Sequence, residues 1–293
     1  MMILIDGAGL AEDILQEIRQ EVDLMVSNGK KRPHLAAVLI GDNPASLSYV
    51  TNKVKSCETA GFKSTLIKRD GNFSENELAQ LIEELNNDSE IDGYIVQLPL
   101  PRHIDADKIL LLIDPKKDVD GFHPLNFGRM AQGLPAFLPA TPSGILQMLE
   151  RYKIETDGKH CVVIGRSNIV GNPMSILMAR KGYPGNCTVT IVHSRTHNID
   201  EIVRQADIVI AAIGIPKFVT SEMVKDGAVV IDVGINRIAD TSTKSGFRLV
   251  GDVDFENVAP KCSFITPVPK GVGPMTVCAL MINTLKASKS EIY

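Results

Sequence analysis

Apolar residues in this chain fall into short β-branched runs, separated by stretches in which they recur every three or four positions. That alternation predicts parallel strands joined by amphipathic helices. Residues 10–28 carry Ile14, Ile18, Val22 and Met25 on one helical stripe with charges opposite. Residues 35–41 read as a buried strand, and Asp42, Asn43 and Pro44 turn the chain into a helix reaching about Gly61. A strand over 65–68, a helix over 75–85 capped by Ser74 and a strand over 94–96 complete a βαβαβ series. Pro99 and Pro101 stop the ladder at the carboxyl end of that third strand. A short helix is predicted over 107–113, a charged loop over 114–122, irregular chain over 127–139 and a helix over 141–152. The series then restarts with strands over 161–164, 187–192, 207–214 and 227–236, and with helices after Asn172 and over 200–205. Residues 237–248 are polar and read as a hairpin or loop, and residues 249–252 as a last short strand. A turn-rich segment over 266–276 leads into a final helix over 277–286. That helix has little nearby in sequence to pack on, so it is expected to return to the first domain, and the chain to cross between domains twice.

The length of 293 residues suits two domains. The expected division is 1–141 with 272–293, and 142–271. Hydrophobic content of 44% and charged content of 23% are those of an ordinary soluble globular protein. A net charge of -4 without a basic stripe argues against a nucleic-acid surface. No apolar run reaches membrane-spanning length. Cys57, Cys161, Cys187, Cys262 and Cys278 are scattered, without C-x-x-C spacing, which fits free thiols in a reducing compartment. The first residues lack the basic segment of a secretory signal, so a cytoplasmic location is expected. His193 and His197 have the spacing of a helical metal pair but lie in a strand-end loop with no adjacent acidic third ligand, so no metal site is expected.

The chemistry is densest after the strand over 161–164. Gly165 ends that strand where the chain must turn sharply, and Gly171 allows close approach of a phosphate. Asn172 and Pro173 suit an N-cap and first helical residue, so the positive end of the next helix faces the loop. Arg166 and Ser167 stand where a second glycine is usual in a dinucleotide loop. The following strand ends in His193, Ser194, Arg195 and Thr196 rather than in an acidic residue. An acid there holds a ribose 2'-hydroxyl, whereas a 2'-phosphate needs cations and hydroxyls. Ser194 and Arg195, with Arg166 and Ser167, therefore point to NADP rather than NAD.

In the first half, Tyr49 and Lys53 lie four apart on one helical face and can touch. Taken alone, such a lysine is an ordinary surface residue, and a loop with the charges of 114–122 is ordinary solvated chain. Five motifs in order change that reading: Ser46-x-x-Tyr49-Val50-x-x-Lys53; Gln97-Leu98-Pro99-Leu100-Pro101; Lys117-Asp118-Val119-Asp120-Gly121; Gly165-Arg166-Ser167-x-Ile169-Val170-Gly171-x-Pro173; and Gly271-Val272-Gly273-Pro274-Met275-Thr276. Together, over nearly the whole chain, they resemble the bifunctional methylenetetrahydrofolate dehydrogenase/methenyltetrahydrofolate cyclohydrolase family, known as FolD in bacteria.

The resemblance implies two α/β domains, a folate-handling catalytic domain and a Rossmann-type NADP domain, with the active site in a cleft between them. It implies NADP-dependent oxidation of 5,10-methylenetetrahydrofolate to the 5,10-methenyl cation, then hydrolysis to 10-formyltetrahydrofolate. Lys53 is then the key residue of hydrolysis, Tyr49 stacks or hydrogen-bonds beside it, Gln97 partners the lysine and Asp120 binds the pterin. Gly165, Arg166, Ser167, Ser194 and Ile235 carry over as NADP contacts, and a homodimer is implied. The chemistry suits these residue types. An ordinary lysine stays protonated at neutral pH, and freeing it as a base takes about 4 kcal/mol, which desolvation supplies. An amide accepts from a lysine without favouring its charged form as strongly as a carboxylate does. Lys270 departs from the family pattern, which has glycine there. Lysine at a positive φ costs roughly 1 to 2 kcal/mol, and it brings a cation that could meet the folate glutamate tail. Two alternatives stand beside this reading: a dehydrogenase without cyclohydrolase activity, and a nucleotide- or folate-binding protein without turnover. The intact set Tyr49, Lys53, Gln97 and Asp120 speaks against the second.

Overall fold

The computed structural model describes residues 2–243 and 246–293. The chain opens with a short strand, β1 (Ile3–Leu4), and a long helix, α1 (Gly7–Ser27), whose stripe of Ile14, Ile18, Val22 and Met25 is buried. There follow β2 (His34–Ile40), α2 (Pro44–Ala60), β3 (Lys63–Arg69), α3 (Glu75–Asn87) and β4 (Gly93–Val96). These strands form a parallel sheet in the order β3-β2-β4. Every residue of the central strand β2 is buried, as its unbroken apolar run requires. Leu78, Leu81, Ile82 and Leu85 on α3 close one core with Ala36, Val38 and Ile40. Ser74 starts that helix with a capping box: its hydroxyl accepts the Glu77 N–H at 3.3 Å, and the Glu77 carboxylate accepts the Ser74 N–H at 2.8 Å.

Next come α4 (Ala106–Leu111), α5 (Pro124–Ala131) and α6 (Ala140–Arg151). The helix α5 overlaps chain expected to be irregular. Pro124 at its first turn and His123, whose Nδ1 accepts the Leu125 N–H at 3.1 Å, start it. The helix is only eight residues long, carries Gly128 inside it and buries the polar Asn126 beside Met130, so a reading of apolar spacing passes over it. The second series follows as β5 (His160–Ile164), α7 (Gly171–Ala179), β6 (Thr188–Val192), α8 (Ile199–Arg204), β7 (Ile208–Ala211) and β8 (Val229–Asp232). An antiparallel hairpin, β9 (Asn236–Ala239) with β10 (Phe247–Val250), comes next, so the last short strand expected over 249–252 is an arm of this hairpin. Lys244 and Ser245, within the segment read as hairpin or loop, lie outside the described residues. The chain ends through α9 (Phe255–Val258), β11 (Phe264–Ile265) and α10 (Val272–Ser288). The larger sheet runs β1-β11-β8-β7-β5-β6, all parallel.

The chain divides into two compact units, Met1–Ala11 with Thr141–Thr276, and Glu12–Ala140 with Val277–Tyr293. The first eleven residues group with the larger sheet because β1 pairs with β11. The chain therefore passes between units three times, within α1, α6 and α10, rather than twice.

Both sheets begin with the same clasp. In the smaller sheet, the His34 N–H donates to Asp92 Oδ2 at 2.9 Å, His34 Nε2 shares a hydrogen bond with Thr65 Oγ1 at 2.8 Å, and Lys31 pairs with Asp92 at 2.8 Å. In the larger, the His160 N–H donates to Asp207 Oδ2 at 2.8 Å, His160 Nε2 meets Thr190 Oγ1 at 2.9 Å, and Lys225 pairs with Asp207 at 2.6 Å. Each histidine opens a central strand whose first N–H has no ladder partner, and the aspartate before the next strand satisfies it.

Replacing Ser74 by Ala removes one half of the capping box, and urea unfolding is expected to show a loss of about 1 kcal/mol.

Candidate active site

In the unit built on β3-β2-β4, the strand order places the carboxyl ends of β2 and β4 side by side. The helix α2 leaves from the first of these ends, and Gln97 follows the second. Lys53, half-buried on α2, donates from Nζ to Gln97 Oε1 at 3.2 Å. Gln97 Nε2 in turn donates to the Leu98 carbonyl at 2.7 Å, which orients the carboxamide with its oxygen toward the lysine. The lysine thus meets an amide acceptor rather than a carboxylate. Tyr49 lies one turn earlier on the same helix, with 41% of its surface exposed.

The loop with Asp120 runs parallel to β4, bridged at Tyr94 and Asp118. That register carries Asp120 toward the same strand end as Gln97. Gly121, at φ +74, makes the turn, and a Cβ there would lie 2.6 Å from the Leu138 carbonyl carbon. Asp118, below the turn, is buried and accepts the Phe122 N–H at 3.1 Å, the His123 N–H at 2.8 Å and Asn126 Nδ2 at 2.8 Å. Burial pushes its carboxyl up to about 7, against the pull of those donors. Within a loop whose charges read as solvation, Asp118 is a buried structural acid, and periodicity carried no signal for it.

In the other unit, β5 and β6 pair with Ile164 opposite Val192, so the loops after them are neighbours. Gly165 has φ +120, and a Cβ on it would lie 2.2 Å from the Ala212 carbonyl oxygen. A Cβ on Gly171 would lie 2.3 Å from the Gly165 carbonyl oxygen, so this glycine lets the loop close on itself. The helix α7 starts at Gly171 with Val170 as its cap residue, two positions before the expected Asn172. Ser167 substitutes for a side-chain cap: its hydroxyl accepts the Val170 N–H at 3.1 Å. Asn172 instead donates to Asn168 Oδ1 at 3.0 Å. The turn after β6 is held by His193 and Thr196, the His193 N–H donating to Thr196 Oγ1 at 3.0 Å and the Arg195 N–H to His193 Nδ1 at 3.2 Å. Arg166, Ser194 and Arg195 are exposed, and among the described residues their side chains make no hydrogen bond or ion pair. Two guanidinium groups and a hydroxyl grouped at adjacent strand ends are the donor set a 2'-phosphate requires, so the residues fit NADP.

Sequence reasoning also missed two buried acids that shape this unit. Asp232, at the end of β8, accepts the N–H groups of Gly234, Asp252 and Val253 at 2.9, 2.9 and 3.0 Å. Burial pushes it up to about 6. Asp252 accepts the N–H groups of Ile213 and Gly214 at 2.8 Å each, and Asn236 Nδ2 at 2.8 Å. Together they fix the turns after β7 and β8, including the one that displays Ile235, 45% exposed. A cavity of about 240 Å³ beside Lys217, Arg248 and Pro267 is lined by none of the residues expected to meet folate or NADP. Lys270 adopts φ +80, the conformation that favours glycine, and its carbonyl accepts the Ala8 N–H at 3.0 Å.

A parallel sheet with a glycine loop at the point where strand order reverses, joined in one chain to a second α/β unit bearing a lysine at its strand ends, defines a two-domain, dinucleotide-dependent enzyme class. The sequence matches the tetrahydrofolate dehydrogenase/cyclohydrolase catalytic domain over residues 5–120 and the NAD(P)-binding domain of the same family over residues 139–292. It is 60% identical over 292 residues to the bifunctional protein FolD of Azobacteroides pseudotrichonymphae, covering 100% of both chains. Its structure is similar to that of the bifunctional enzyme FolD from Campylobacter jejuni, with 46% identity, a TM-score of 0.93 and 99% and 100% of the two chains covered. It is also similar to the Trypanosoma brucei methylenetetrahydrofolate dehydrogenase-cyclohydrolase complexed with NADP and an inhibitor, with 38% identity, a TM-score of 0.93 and 99% and 98% covered. The chain belongs to the tetrahydrofolate dehydrogenase/cyclohydrolase family.

Because Lys270 holds a positive φ, Lys270→Gly is expected to raise stability by about 1 kcal/mol in urea unfolding; an unchanged or lower midpoint would contradict the strain.

Proposed function

We infer that this protein oxidises 5,10-methylenetetrahydrofolate with NADP to the 5,10-methenyl cation and hydrolyses that cation to 10-formyltetrahydrofolate. The observation that carries the bifunctional reading over a dehydrogenase alone is the Lys53–Gln97 contact of 3.2 Å. When bound, NADP supplies the hydride acceptor. Hydride transfer needs no acid or base, only two reacting carbons held face to face with water excluded. Hydrolysis is different. Water adds to the methenyl carbon and gives up both its protons in turn: one passes to N5 as the bond between that carbon and N5 breaks, and the other is released to solvent, leaving a neutral formyl group on N10.

The Lys53 amine relays one of these protons from the added water to N5. Gln97 holds that amine in place through its oriented oxygen, and Tyr49 stands beside it to stack on or hydrogen-bond the folate. The Asp120 carboxylate accepts no hydrogen bond among the described residues, which leaves both oxygens for the two N–H donors of the pterin amidine edge. Gly165, Arg166, Ser167, Gly171, Ser194, Arg195 and Ile235 are the residues proposed to hold NADP, with the cations and hydroxyls on its 2'-phosphate. Lys270, exposed and held in a strained turn, is proposed to meet the glutamate tail. Lys270→Gly should then also weaken folate affinity, and an unchanged KM would remove this role. A homodimer belongs to the same reading by resemblance.

Lys53→Met should lower hydrolysis by about 100-fold or more while leaving dehydrogenase turnover measurable, followed by NADPH formation and methenyl absorbance in one assay. Equal loss of both activities would refute the division of labour. Ser194→Asp should raise the KM for NADP by about 10- to 100-fold and change turnover with NAD far less; a parallel change with both cofactors would argue against a 2'-phosphate contact at this turn.

A further inference from the structure

The turn that presents Asp120 is tied down at its neighbours on both sides. Lys117 Nζ donates to the Leu85 and Asp88 carbonyls at 2.7 and 2.6 Å. Val119 is fully buried, and its carbonyl accepts Asn283 Nδ2 at 2.8 Å. The Asp120 carbonyl accepts the Ala140 N–H at 3.2 Å. Asp118 gathers the Phe122 and His123 N–H groups and Asn126 Nδ2 beneath them.

Asn126 is itself fully buried, and every polar atom of its side chain is engaged. Its Nδ2 donates also to the Pro115 carbonyl at 3.0 Å. Its Oδ1 accepts the Phe137 N–H at 3.3 Å and the Tyr293 hydroxyl at 2.9 Å. Tyr293 is held in turn by its ring, which lies 5.0 Å from the Arg129 guanidinium carbon and 6.1 Å from the Phe137 centroid. A continuous path of hydrogen bonds thus runs from the far end of the sequence to the carboxylate under the Asp120 turn.

We propose that Tyr293, Asn126 and Asp118 are positioning residues for folate: their hydrogen-bonded chain fixes the turn that aims Asp120 at the pterin. A bidentate contact rewards a carboxylate already held in its bound orientation, because ordering it on binding would otherwise reduce affinity. The inference rests on the reading of Asp120 as the pterin ligand.

The test is a double-mutant cycle of Tyr293→Phe and Asp120→Asn in the full chain. Tyr293→Phe keeps the ring against Arg129 and Phe137 and removes only the hydroxyl. It should raise the KM for 5,10-methylenetetrahydrofolate about fivefold, with the loss in KM rather than kcat and with the KM for NADP unmoved. In the Asp120→Asn background the same change should add no further loss of folate KM. A full fivefold loss in both backgrounds, or no loss in the wild-type background, would overturn the network. If Asp120→Asn itself left folate KM unchanged, the assignment of Asp120 would fail, and the network with it; a raised KM there with a silent Tyr293→Phe would sink the network alone.

Discussion

The structure depends on satisfying backbone N–H groups at the ends of buried parallel strands, where the ladder stops and water is scarce. The chain meets this constraint with buried carboxylates. Asp118 gathers two loop N–H groups, Asp232 three and Asp252 two. Removing a carboxylate from water opposes folding by several kcal/mol, and charge-assisted hydrogen bonds of about 1.5 to 3 kcal/mol each offset it. The result is a set of turns with few alternative conformations. Those turns are where Asp120 and Ile235 are displayed.

The two units answer the same constraint at the other end of their sheets in the same way. His34 with Asp92 and Thr65, and His160 with Asp207 and Thr190, are matching clasps at matching registers. Strand orders β3-β2-β4 and β6-β5-β7 match as well. Shared scaffolding leaves the carboxyl ends free to differ. One unit furnishes them with glycines, guanidinium groups and a hydroxyl, the other with an amine, an amide and a carboxylate.

Within the second set, Lys53 meets an amide rather than a carboxylate. A carboxylate favours the charged form of a neighbouring amine more strongly than an amide does. The carboxamide positions the amine with less bias, and its own orientation is settled by the Leu98 carbonyl. Lys270 shows the opposite situation, a residue whose side chain disagrees with its backbone. Its turn persists because neighbouring groups determine it: the carbonyl caps α1 through Ala8, and a Cβ on Gly271 would strike the Pro267 carbonyl oxygen at 2.3 Å.

Sequence by itself determined the alternation of strands and helices, the glycine loop and the placing of Tyr49 and Lys53 one turn apart on a single helix. Each is a local pattern, carried by residues within one element or one turn. It did not reveal β1 and β11, because two-residue strands are too short to show a period, and it did not reveal α5, because that helix is short, contains Gly128 and buries a polar residue, Asn126. Above all it could not separate Asp118, Asp232 and Asp252 from solvated acids. Whether a carboxylate is buried depends on which N–H groups distant chain segments bring to it. The same holds for Asn126, whose partners at Asp118, Phe137 and Tyr293 come together only when the tertiary structure forms.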